Sequence, residues 1–186
     1  MPILGILASS NFVSGTSFES IATVTVGSGG AANVEFTSIG TDWTHLQIRG
    51  IARTTESAEN TICYLQFNSD TTSGNYYGHG LYGTGADVTA YALDGSYYAS
   101  LSVIPGASAT ASIFGATVID ILDYRNTNKY KTVRNLSGND RNGSGQVRLA
   151  SGLWMSTSAI TSIKLVPIAN NFAQYSHFAL YGIKGD

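Results

Sequence analysis

Side chains able to do acid–base or nucleophilic chemistry are few and scattered along this sequence. There are three histidines (His45, His79 and His177), one cysteine (Cys63) and twelve carboxylates. A nucleophile needs a base within hydrogen-bond reach, itself oriented by a third group. None of the histidines neighbours a G-x-S-x-G turn, and Cys63 lacks the surroundings of a protease nucleophile. Glycoside hydrolysis needs two carboxylates facing one cleft. Asp120 and Asp123 are close in sequence, but residues three apart on a strand point to opposite faces. Asp123 suits a cap for the turn Tyr124–Asn128, and Asp120 a structural pair with Arg134 or Arg148. Asn68–Asn75 offers oxygen ligands and a glycine but lacks the closing Glu of a calcium loop. Gly27–Gly30 lacks the Lys and helix of a phosphate loop, and Asn139–Gly145 reads as a hairpin tip with Asp140 and Arg141 solvated. The residues therefore predict no catalytic group, no metal site and no cofactor.

Aromatic residues offer more. Tyr76, Tyr77, His79 and Tyr82 fall within eight residues, and Tyr97 and Tyr98 follow. Such groups can stack on sugar rings or pack across a subunit interface, and the sequence leaves both readings open. His45 and His177 lie in strand patterns, where a structural role is expected. Cys63 reads as a buried strand residue.

The elements that must position these residues are strands. Runs rich in Val, Ile, Thr, Tyr and Phe recur between Gly, Ser, Asn and Asp clusters, with no amphipathic helix. The pattern predicts strands at Phe18–Val26, Asn33–Ile39, Trp43–Arg53, Thr61–Asn68, Tyr76–Tyr82 and Tyr97–Ile104. Further strands fall at Ser112–Leu122, Lys129–Leu136, Gln146–Trp154, Ile160–Pro167 and His177–Ile183. The first two read as a hairpin across Gly27–Gly30. In the third, alternation slips near Gly50, which suggests a bulge or a close backbone approach. Ser112–Leu122 is almost continuously apolar and reads as a central strand buried on both faces. Lys129–Leu136 alternates and reads as half-exposed. Gly83–Ser96 and Pro105–Ala111 read as long polar loops, and Trp154–Ile160 could hold one helical turn. About ten strands with turn signals between them predict an all-β fold: an antiparallel, jelly-roll-like β-sandwich.

The 186 residues suit one domain. Residues 18–186 read as that domain and residues 1–17 as an N-terminal arm, its apolar Ile3, Leu4, Ile6 and Leu7 forming a candidate docking segment. An ordinary first strand is the alternative. The N-terminal run carries no positive charge and is too short for a signal peptide or membrane span. Only 12% of residues are charged, against roughly 25% in globular domains. Ser (22), Thr (19), Asn (12) and Tyr (11) fill the gap. A net charge of −2 argues against nucleic-acid binding, and no basic cluster suggests a membrane surface.

Several strings together resemble a known family. They are Ser17-Phe18-Glu19-Ser20-Ile21-Ala22-Thr23-Val24-Thr25-Val26-Gly27, Val34-Glu35-Phe36-Thr37-Ser38-Ile39 and Thr44-His45-Leu46-Gln47-Ile48-Arg49. Ile119-Asp120-Ile121-Leu122-Asp123-Tyr124, Asn128-Lys129-Tyr130-Lys131-Thr132 and Phe178-Ala179-Leu180-Tyr181-Gly182-Ile183-Lys184-Gly185 complete the set. It resembles small virion structural proteins of tailed phages, of the marine and cyanophage type, over nearly the whole chain. The opening Pro2–Ser10 is similar to the arms that begin such proteins. The resemblance implies a non-enzymatic component on the particle's outside: a capsid decoration or cement protein, or a fibre protein. Its partners would be other virion proteins and further copies of itself, most simply as a trimer, and its location the virion, assembled in the host cytoplasm. The alternative is a lectin-like receptor-binding module of a tail fibre, holding a host-surface glycan through the tyrosine-rich segments.

Overall fold

Period-two burial runs through β-strand segments such as Gly115–Leu122, Lys131–Asp140 and Ile163–Pro167. Along Lys131–Asp140, buried residues alternate with exposed or half-exposed ones, as in a strand with one face on a core. The computed structural model describes residues 17–185. The Ile3, Leu4, Ile6 and Leu7 arm lies outside them. Twelve strands are present and the described residues contain no helix: β1 (Phe18–Thr25), β2 (Val34–Phe36), β3 (His45–Ala52), β4 (Asn60–Phe67), β5 (Tyr76–Gly83), β6 (Val88–Ser96), β7 (Ala99–Pro105), β8 (Gly115–Leu122), β9 (Lys131–Asp140), β10 (Gly145–Trp154), β11 (Ile163–Pro167) and β12 (His177–Ile183). Trp154–Ile160 accordingly holds no helical turn.

The strands form two antiparallel sheets, ordered β1-β12-β3-β8-β9-β10-β5-β6 and β2-β11-β4-β7. The strands β1-β12-β3-β8 of the large sheet and the small sheet β2-β11-β4-β7 make an eight-stranded jelly roll. The chain crosses between sheets at β1→β2, β2→β3, β3→β4, β7→β8 and β11→β12, and again at β4→β5, β6→β7 and β10→β11 around the inserted strands. Two insertions, the β5–β6 and β9–β10 hairpins, extend one sheet to eight strands. The core lies between the sheets. Leu46, Ile48, Ile119, Ile121, Phe178 and Leu180 from the large sheet meet Val34, Phe36, Leu65, Phe67, Ile163 and Leu165 from the small one.

Some local expectations are corrected. β1 and β2 are not a hairpin: β1 pairs with β12 and β2 with β11. The turn at Gly27–Gly30 exists, with Gly30 N–H donating to Gly27 O at 3.0 Å, but it carries the chain from one sheet to the other. β3 has no bulge at Gly50, because its register with β8 and β12 runs through unbroken. What Gly50 provides is room, since a Cβ there would sit 2.5 Å from the Phe178 ring. Gly83–Ser96 is not a loop, because β6 fills most of it. β8 is central but has only one buried face, with Val118 and Leu122 exposed on the other.

Candidate functional site

Most of the reactive residues singled out in the sequence make structural contacts, whereas His79 is exposed on β5. His45 Nδ1 accepts the Asp123 N–H at 2.9 Å. Asp123 also pairs with Lys129, whose hydrogen bond and charge hold the carboxyl below its ordinary value. Asp120 accepts from Gln47 Nε2 at 2.8 Å and lies 3.4 Å from Arg134. Of the two partners expected for Asp120, Arg134 is the one found. His177 Nδ1 is bonded to Thr25 Oγ1. Cys63 is buried, which pushes its thiol far up. In the Asn68–Asn75 loop, Asp70 accepts from Trp154 Nε1 (2.7 Å), Asn75 Nδ2 (2.8 Å) and Thr72 N–H (2.9 Å). Asn68 Oδ1 accepts the Thr161 and Ser162 N–H groups, so these oxygens hold the loop to its neighbours. Among the described residues no group of three or more His, Cys, Asp or Glu is placed to hold a metal. Arg141 is not solvated as expected: its side chain is mostly covered and pairs with Glu59 at 2.5 Å.

The expected aromatic residues do not converge. Tyr76 is fully buried and cannot face solvent: its hydroxyl accepts the Phe67 N–H and donates to Asp70 O, both at 3.1 Å. Tyr77 and His79 lie on β5's outer face. Tyr82 lies on its inner face, where Tyr82 and Tyr91 flank the Arg148 guanidinium at 5.2 and 5.0 Å. Gly80 makes this possible, since a Cβ there would meet the Tyr91 hydroxyl at 2.4 Å. Tyr98 stacks on Tyr64 at 4.2 Å, and Tyr97 stands edge-on to Tyr98 at 4.9 Å, on the small sheet's outer face. The six residues thus divide among four separate surroundings.

The feature that sequence reasoning missed is the outer face of the large sheet, the face turned away from the small sheet. Cross-strand registers align two adjacent rows on it. One runs Arg49–Val118–Leu136–Leu149–Leu81–Ala90 through β3, β8, β9, β10, β5 and β6. The next runs Ile51–Ala116–Gly138–Val147–Gly83–Val88 over the same strands. Every side chain in them is apolar or absent except Arg49. Exposure of the large ones ranges from 38% at Val118 to 75% at Val88. Three open hollows lie along these rows. One of about 610 Å³ forms over Gly83, Ala116 and Gly138. A second of about 370 Å³ is bounded by Leu81, Ala90 and Leu149. The third, of about 380 Å³, is bounded by Ile51, Val118 and Ala179. Sequence signals for this band existed: Ile51 at the break in β3 alternation, and Val118 in the apolar run of β8.

Comparison of the chain with protein-family models, with curated proteins and with solved structures gave no match.

Proposed function

We propose that this protein is a non-enzymatic structural component of a tailed-phage virion. In this reading it sits on the particle surface as a capsid decoration, cement or fibre protein, attached through its N-terminal arm. The observation that carries the assembly role is the apolar band on the large sheet's outer face. An exposed apolar surface of this extent marks a surface that something covers. The phage assignment rests on the sequence resemblance. Low charge fits as well, because hydroxyls, amides and tyrosines cost less to desolvate than carboxylates and ammonium groups. A lectin-like receptor-binding module is the second reading. It is favoured by one observation, the Tyr64–Tyr97–Tyr98 group with Tyr97 half-exposed.

One experiment separates the two. Particles of the phage encoding the chain are purified and washed, and the isolated chain is applied to a glycan array. Peptides of the chain at a fixed ratio to capsid protein, with no glycan bound, support the structural reading. Absence from washed particles overturns it. Glycan binding by the isolated chain favours the lectin module.

A further inference from the structure

The apolar band needs an occupant, and its geometry points to one. From β3 to β6 it spans five strand intervals, about 24 Å, and two rows, about 13 Å. With the rows above and below, the outer face of these six strands measures roughly 24 by 27 Å. That approaches the ~800 Å² per partner buried in a standard stable interface. Resting on the structural reading above, we propose that a second copy of this chain covers the band, outer face to outer face. The two large sheets then stack about a two-fold axis close to Leu136 and Leu149.

Three observations select a second copy and a two-fold arrangement. The face carries both parts of a fit. Leu136, Leu149 and Leu81 form a ridge, and the glycines and alanines at 83, 90, 116 and 138 floor the hollows beside it. A copy turned by a two-fold axis sets ridge against hollow twice, as facing sheets interdigitate in a sandwich. Secondly, a ring of three would need two different complementary patches. Among the described residues the other large exposed apolar side chains either belong to the same large sheet, as Phe18 in β1 and Leu122 in β8 do, or lie outside strands on separate connections, as Tyr97, Tyr130, Met155, Ile168 and Tyr175 do. One patch that recurs on both partners makes a pair rather than the trimer expected from the resemblance. Thirdly, the residues beside the band carry both signs, with Asp120 already paired to Arg134, so two copies meet without a like-charge clash.

The test uses the full chain. Sedimentation velocity at about 100 µM should give twice the 19.6 kDa chain mass, with dissociation on dilution. The double variant L136D/L149D should run at 19.6 kDa with an unchanged circular dichroism spectrum, because both side chains point away from the core. As a second measurement, Leu149→Cys should label with a maleimide at least tenfold more slowly in the concentrated than in the dilute protein. Buried Cys63 is silent in that assay. A wild-type chain that stays monomeric, a trimer mass, or an L136D/L149D variant that still pairs overturns the proposal. A monomer that begins to associate when residues 2–10 are deleted overturns it in favour of the arm. These outcomes are independent of particle content: a monomeric chain found in washed particles defeats the pair and leaves the virion role standing.

Discussion

Lys131 is fully buried, and none of the ion pairs among the described residues includes it. Its Nζ donates to the carbonyl oxygens of Asn126 (2.6 Å), Lys129 (3.1 Å) and Thr157 (3.2 Å), pinning two loops to the start of β9. Burial, with the charge of Lys129 behind it, lowers its pKa. Arg53 does similar work, donating to the carbonyls of Ala107, Ala109, Thr110 and Ile113 and ordering the loop before β8. In a chain with so few charges, these are used as multi-pronged donors to backbone. Asp70 is the acceptor counterpart. Burial alone would raise its pKa, but hydrogen bonds from Trp154, Asn75 and Thr72 outweigh that and bring it from 3.8 to about 2. A carboxyl whose folded pKa lies below its unfolded one stabilises the fold above the unfolded value, and that contribution is lost as pH falls toward the folded value. Stability should therefore drop between pH 4 and 2. Allowing for Asp70's partial exposure, the loss from this group is about 1–2 kcal/mol. Asp70→Asn should be less stable at neutral pH and show a flatter acid limb in denaturant titrations at successive pH values. An unchanged acid limb would remove Asp70 from the account.

The β5–β6 hairpin is lightly held at its outer strand, β6. β6 pairs only with β5, and β7, the nearest strand of the small sheet, packs on β9 and β10 with little contact beyond them. What holds its inner face is the Tyr82–Arg148–Tyr91 stack, seated where Gly80 has no side chain. Gly80→Ala would put a methyl into the Tyr91 ring and within 2.7 Å of Leu149 O. The expected result is a loss of about 1–3 kcal/mol, with faster amide exchange confined to β5 and β6 and none in β3 or β8. Exchange that accelerates everywhere would mean the hairpin is integral to the core. This hairpin also shows where sequence reading stops. Alternation made β1, β3, β9, β10 and β12 legible, because each has one core-facing row. β6 alternates only between exposed and half-buried residues, with Tyr91, Leu93 and Gly95 partly covered, so Val88–Ser96 carries a weak burial pattern and resembles a loop. β8 failed in the opposite sense: its outward residues Val118 and Leu122 are apolar, which imitates a strand buried on both sides. Sheet assignment was illegible for another reason. Nothing in the Gly27–Gly30 turn distinguishes a hairpin from a crossing between sheets, and only the pairing of β1 with β12 and β2 with β11 decides it. For the candidate site, residue type was legible and position was not: Tyr76 and Tyr77 are adjacent in sequence, yet one is core and the other faces out.

At the scale of the molecule, a jelly roll closes a core with eight strands, and the four inserted strands do something else. They add few residues to the central core while doubling the large sheet from four strands to eight. Most of the apolar band lies on them, with β3 and β8 supplying its inner end. The scarcity of charge, 12% of residues, fits that arrangement. Carboxylates and lysines on the outer rows would have to be desolvated or matched across a partner, whereas Leu, Val, Ala and Gly need only be covered. That difference predicts how self-association should respond to solvent. If apolar contact drives it, raising NaCl from about 0.05 to about 0.5 M should change the dimer dissociation constant by less than threefold, since screening has little to act on. Ammonium sulfate should tighten association, and cooling toward 4 °C should weaken it, because apolar burial near room temperature is driven by entropy and fades in the cold. Sedimentation equilibrium across these conditions reads all three. Dissociation by NaCl of tenfold or more, or tighter pairing in the cold, would locate the contact on the charged rim at Arg49, Asp120 and Arg134 instead of on the band.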